Sequence, residues 1–245
     1  MRRPVLTGAA VLRALHHGPR LPLVLPGPWD AASARVFADA GFPALATPSA
    51  GVAAALGYAD GDVPPDEMFA AIGRIVRAVD VPVTADVEDG YGLGARELVA
   101  RLAEAGAVGC NLEDGDRAGG GLVAAERQAA RLAAVRAAAG DALVINARVD
   151  TYVRGAGGVA ETVRRGRLYA AAGADCVYPI MAPPAELAAL ADGIGLPLNA
   201  LAVPGGPSPE ELGALGASRV TFGPGQQRRA MAAVAAEARQ LRGGE

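Results

Sequence analysis

Lysine is absent from this 245-residue chain: all 23 basic side chains are arginine. Schiff-base chemistry and a lysine general base are therefore excluded, because both need an amine that can lose its proton near neutrality. Cysteine is almost as scarce. Cys110 and Cys176 have neither zinc-ligand nor redox-pair spacing, and both read as core thiols. Aromatic residues make up 4% of a chain that is 51% hydrophobic, so the interior must be built from Ala, Val and Leu. No apolar run reaches the roughly 18–20 residues needed to span a bilayer. The basic start, Met1-Arg2-Arg3-Pro4, is followed by no long apolar segment, so no signal peptide is expected and a cytoplasmic protein is the default. Net charge is −3 with the arginines dispersed, which favours neither nucleic acid nor an anionic membrane as partner.

What is present is a repeating pattern. Short apolar runs at residues 21–25, 44–47, 81–85, 108–112, 143–146, 176–179, 197–200 and 219–222 read as eight strands. Ala-rich stretches with helical spacing lie between them, as at 67–79, 95–105, 122–139, 159–172 and 209–215, and several stop at a glycine. Strict alternation implies parallel pairing, and eight units close into an α/β (β/α)8 TIM barrel. We expect one domain over residues 1–245, with a short helix at about 9–17 closing its bottom. An open doubly wound sheet is the alternative, but no G-x-G-x-x-G follows the first strand.

Barrel chemistry sits at the C-terminal strand ends. Those ends supply Trp29-Asp30, Thr47 to Gly51 with Asp60 beyond, Asp86 and Glu88, Glu113, Arg148 and Asp150, Tyr178, and Asn199. The third and fourth strands both end in carboxylates. Crowded like charges repel and raise each other's pKa, so a hard divalent cation is the expected partner. Asp86 and Glu88 are two residues apart, so on a strand their side chains point to the same side, a spacing that suits a metal site at a strand end. The bland alternative is that these carboxylates pair with arginines and that Arg148 pairs with Asp150. His16 and His17 lie in the first helix, away from the strand ends. The segments Pro204 to Ser208 and Gly223 to Gly225 read as turns and helix caps.

The ordered segments Leu25-Pro26-Gly27-Pro28-Trp29-Asp30, Ser49-Ala50-Gly51-Val52, Asp86-Val87-Glu88-Asp89-Gly90-Tyr91-Gly92, Asn111-Leu112-Glu113-Asp114 and Asn146-Ala147-Arg148-Val149-Asp150 together resemble the isocitrate lyase/phosphoenolpyruvate mutase superfamily. The resemblance implies a Mg2+-dependent barrel, with Mn2+ as a substitute, acting on a small 2-oxo or 2-hydroxy dicarboxylate beside an enolpyruvate unit. It implies that Asp86 holds the metal, with Glu88, Glu113 and Asp60 on its waters. Glu113 and Asp60 are also, with Arg148, the catalytic candidates. Ser49, Ala50 and Gly51 would receive a substrate carboxylate, Arg148 would face the substrate, and Trp29 would stand at the mouth, with Tyr178 and Asn199 as further substrate contacts. A homo-oligomer, dimer or tetramer, is expected.

One segment departs from the family. Superfamily members that cleave isocitrate or methylisocitrate carry a loop after the fourth strand with a Cys flanked by Lys, Gly and His, and phosphoenolpyruvate mutases carry a Lys and an Asn there. The stretch here, Asp114-Gly115-Asp116-Arg117-Ala118-Gly119-Gly120-Gly121, has none of these. The chemistry left is decarboxylation, hydrolysis or C–C cleavage of an oxaloacetate- or methylisocitrate-like substrate. The alternatives are P–C chemistry on a phosphonopyruvate-like compound, or a barrel that binds metal and ligand without turnover.

Overall fold

The computed structural model describes residues 8–18, 22–116 and 119–243. Met1 to Pro4, Leu21 at the expected start of the first strand, and Arg117 and Ala118 of the loop after the fourth lie outside these residues.

Eight parallel strands form the wall: β1 (Leu23–Val24), β2 (Leu45–Thr47), β3 (Val83–Asp86), β4 (Gly109–Glu113), β5 (Val144–Val149), β6 (Cys176–Pro179), β7 (Asn199–Leu201) and β8 (Arg219–Thr221). One ladder runs β2-β3-β4-β5-β6 and another β1-β8-β7. A parallel bridge from Val177 to Leu198 joins β6 to β7, and Ala46 N–H donates to Pro26 O at 3.0 Å beside β1. The ladders thereby close into a (β/α)8 barrel.

Helices α1 (Gly8–Leu15), α2 (Ala31–Asp39), α3 (Ser49–Leu56), α4 (Pro65–Val76), α5 (Ala95–Ala105), α6 (Ala125–Ala139), α7 (Val159–Ala171), α8 (Leu187–Ile194), α9 (Pro209–Ala214) and α10 (Gly225–Leu241) surround it. Each has a local cause. Asp30 caps α2 by accepting from Ser33 N–H, so this carboxylate belongs to a helix start rather than to the barrel mouth. Helix α5 buries Leu98 and Leu102, one turn apart, and stops at Gly106 in the left-handed region. Helix α1 plugs the bottom, packing Ala9 and Leu12 against Leu23, Leu25, Ala44, Ala46 and Val144. β4 opens on glycine because a Cβ on Gly109 would stand 2.8 Å from Thr84 Oγ1 and 3.0 Å from Leu12 Cδ2.

Strand alternation decides what the interior holds. Leu112, Ile145, Ala147 and Val149 pack outward in the main apolar core, while Asn111, Glu113, Asn146 and Arg148 occupy the alternate positions. Asn111 pairs in register with Asn146, and Glu113 with Arg148. Two boundaries shift against expectation. β5 continues to Val149, so Arg148 sits on a strand. β7 begins at Asn199 instead of ending near it. Among the described residues no helix is long and apolar enough to cross a membrane.

Candidate active site

A cavity of about 250 Å3 opens at the C-terminal mouth of the barrel. Its polar wall carries Thr47, Ser49, Asp60, Asp86, Asn111, Arg148, Tyr178, Thr221 and Arg228, and its apolar wall Ala46, Pro48, Ala50, Val153 and Ile180.

Asp86, the last residue of β3, is fixed from two sides. Ser49 Oγ donates to its Oδ2 at 3.0 Å, and the Glu88 backbone N–H reaches Oδ1 at 3.2 Å. Ser49 itself opens α3, whose cap Pro48 offers no side-chain acceptor, so the helix turns its first N–H groups to the mouth without a local partner side chain. Asp60, between α3 and α4, joins the same wall.

Arg148 spans the site from β5. Its Nη1 meets Glu113 at 2.6 Å, and its Nε and Nη2 grip Asp150 at 2.7 and 3.0 Å. Burial works against its charge, but Glu113, Asp86 and Asp150 outweigh that and hold its pKa above the usual arginine range. The fork is locked by two carboxylates before any ligand arrives. Tyr178 on β6 is buried, and that burial pushes its phenol up to about 12, so it remains a donor at neutral pH. Behind the strand ends, Asp114 is fully buried. It accepts from Tyr169 Oη at 2.6 Å, Arg165 Nη1 at 2.9 Å and the Asp150 N–H at 2.8 Å, tying the end of β4 to the end of β5.

Several expected residues lie elsewhere. Glu88 falls two residues past the end of β3 with φ at 54°, so the strand alternation that would place it beside Asp86 no longer applies; it is buried and off the pocket wall. Glu113 stands behind Arg148 as its ion-pair partner. Trp29 turns its ring edge-on to Phe37, with centroids 6.4 Å apart, and does not line the pocket. Gly51 is buried inside α3, where a Cβ would come 2.9 Å from Pro48 Cγ. Asn199 is buried within the barrel, where its amide donates to Thr221 Oγ1 at 2.9 Å. Thr47, Pro48, Ser49, Ala50, Asp60, Asp86, Arg148 and Tyr178 are the expected residues that meet in the cavity.

The sequence reading missed Asn111, Thr221, Val153, Ile180 and Arg228. Alternation within β4 was a usable signal for Asn111, whereas Arg228 arrives from the first turn of α10 and no strand pattern announces it. Among the described residues no three His, Cys, Asp or Glu side chains converge into a ready-made metal cage.

The model of the phosphoenolpyruvate phosphomutase family matches residues 12–242. The chain belongs to this family. It lies within the isocitrate lyase/phosphoenolpyruvate mutase superfamily, as the ordered motifs implied. An uncharacterized protein of Mycobacterium tuberculosis is 34% identical over 94% of this chain and 88% of its own length. The solved structure of a candidate phosphonomutase from Burkholderia cenocepacia superposes with a TM-score of 0.88 at 41% identity, covering 95% of this chain and 98% of that one. A phosphonopyruvate hydrolase in complex with oxalate and Mg2+ gives a TM-score of 0.86 at 26% identity, covering 98% and 89%. Other matches include 2-methylisocitrate lyases and an oxaloacetate acetylhydrolase bound to its product oxalate. The matches named for an activity are lyases, mutases and hydrolases, which makes this chain a member of a family of enzymes.

Proposed function

We propose that this protein is a Mg2+-dependent enzyme that breaks or makes a carbon–carbon bond beside the 2-oxo or 2-hydroxy group of a small dicarboxylate, as a lyase, decarboxylase or hydrolase. The observation that carries this reading is the convergence of Asp86, Asp60, Ser49 and Arg148 on one cavity at the mouth of the barrel.

The donor set suits the ion. Mg2+ keeps several waters and takes one or two protein carboxylates, so a wall presenting Asp86 and Asp60 fits it better than a closed cage would. Asp86 would hold the ion, with Asp60 reaching its waters and Mn2+ able to replace it. Glu113 and Glu88 act from behind: Glu113 through Arg148, and Glu88 through its carbonyl, which accepts from the Glu113 N–H at 2.8 Å. Bound there, the ion would draw density from a 2-oxo oxygen and favour the enolate left when the neighbouring bond breaks.

The side chains supply the rest. The N–H groups of the first turn of α3 receive a carboxylate, and Ser49 Oγ can turn its single proton from Asp86 to it. Arg148 presents the edge of a guanidinium that Glu113 and Asp150 already hold in place, so orienting the substrate costs little reorganisation. Tyr178 keeps its proton and offers it as a hydrogen bond.

The similarity to phosphonopyruvate hydrolase favours one second reading, cleavage of a P–C bond in a phosphonopyruvate-like compound. A panel of oxo- and hydroxy-acids, assayed with Mg2+ for pyruvate or glyoxylate, separates the two. Pyruvate from oxaloacetate that requires Mg2+ and disappears in Asp86→Ala supports the first. Turnover of phosphonopyruvate alone supports the second. Oxalate binding with no turnover of any member would make the barrel a binding protein.

Self-association fits the same reading. Of the 17 residues of α10 only Gln227 is buried, and Met231, Val234 and Leu241 are 45%, 54% and 83% exposed. A second copy of the chain is the partner we propose for that face.

A further inference from the structure

Arg219 opens β8 and heads the largest side chains that the fold buries completely. A guanidinium stays charged at every accessible pH and can only donate hydrogen bonds. Burying one without a carboxylate against it is among the costliest things a core can do. No ion pair to Arg219 forms among the described residues. Its Nη2 donates to Asn111 Oδ1 at 3.3 Å, while Nε and Nη1 have no hydrogen-bond partner. Asp86, on the pocket wall, is a carboxylate whose charge reaches it. Replacing a buried charge of this kind by an apolar side chain of similar length is often neutral or stabilising. Stability therefore gives no reason for an arginine here.

Its effect on Asn111 does. Because arginine has no acceptor, Asn111 must turn its carbonyl oxygen toward it, and Asn146 Nδ2 donates to the same oxygen at 2.8 Å. Two donors hold Oδ1. The amide nitrogen is then what Asn111 offers to the cavity it lines. We propose that Arg219 is a positioning residue for ligand recognition: a fixed buried cation that turns the N–H groups of Asn111 toward the pocket and biases the pocket toward an anionic ligand of the oxalate or enolate class. The inference rests on the pocket being the anion-binding active site proposed above.

Full-length wild type, Arg219→Met, Arg219→Lys and Asn111→Leu are compared by thermal melting and by titration with oxalate in the presence of Mg2+. We expect Arg219→Met to melt at or above the wild-type temperature yet bind oxalate at least about tenfold more weakly. Arg219→Lys restores the charge and should recover most of that loss, while Asn111→Leu should lose as much as Arg219→Met. Wild-type affinity in Arg219→Met, or in Asn111→Leu should Arg219→Met fail to fold, overturns the inference and leaves the proposed function standing. If wild type itself binds no oxalate, the proposed function fails and the melting temperatures decide this point separately. An unchanged or raised value for Arg219→Met still marks a charge kept against stability, whereas a fall of several degrees or a failure to fold makes Arg219 a structural residue and overturns its positioning role.

Discussion

At the scale of single residues, the buried polar groups divide into those that hold the strand ends and those that face the pocket. Asp114 belongs to the first kind. Asp114→Ala would leave the buried Arg165 with Glu161, Tyr169 Oη and the Val123 carbonyl and would free the Asp150 N–H, so a loss of about 3 kcal/mol is expected in a urea titration. A loss within experimental error would mean that the network does not hold the strand ends. His16 provides a pH test. Its ring is 2% exposed, and burial, aided by the charge of Arg219, lowers its pKa from 6.5 to about 4. The unfolded chain therefore takes up the proton first. The contribution is complete above pH 6.5 and fades as pH falls toward 4, amounting to roughly 3 kcal/mol. The melting temperature of His16→Gln should fall less steeply than that of wild type between these pH values. Parallel curves would show that His16 is not the group responsible.

At the scale of elements, the contacts between helices are as demanding as those in the wall. Helix α7 meets α8 at Gly166, where a Cβ would stand 2.7 Å from Ile194 Cγ1. Gly166→Ala should cost about 1–3 kcal/mol by overpacking, read from the shift in denaturation midpoint at unchanged slope. An unchanged midpoint would show that the two helices separate freely. How far the sequence could be read also turns on element boundaries. β6 at Cys176–Pro179 and α5 at Ala95–Ala105 follow directly from apolar runs ended by recognisable stops. The run at 197–200 marks a strand without showing where its ladder begins. A shift of two residues therefore moved Asn199 from the mouth to the entry of β7. Glu88 illustrates the same limit, since a left-handed backbone two residues beyond the end of β3 cancels the alternation that two-residue spacing implies. Asp86, Ser49 and Arg148 were legible because they lie at or close to the ends of strands read from apolar runs. The Glu113–Arg148 pair was not, because it depends on the register between the neighbouring strands β4 and β5, and Arg228 was not, because it reaches the mouth from α10.

At the scale of the whole molecule, the barrel gathers charge into one end and leaves one helix exposed. If α10 packs against a second copy, the intact protein should sediment as an oligomer, and Met231→Glu with Val234→Glu should shift it toward the monomer. A wild-type monomer at micromolar concentration would remove that proposal. The central claim concerns the mouth: that Asp86, with Asp60 and the start of α3, makes a site where Mg2+ and a small oxo-acid anion bind together. Calorimetric titration of oxalate tests it most directly. The account predicts binding that requires Mg2+ in the wild type and is lost in folded Asp86→Ala. Oxalate binding that is indifferent to Mg2+, or that survives unchanged in Asp86→Ala, would contradict it.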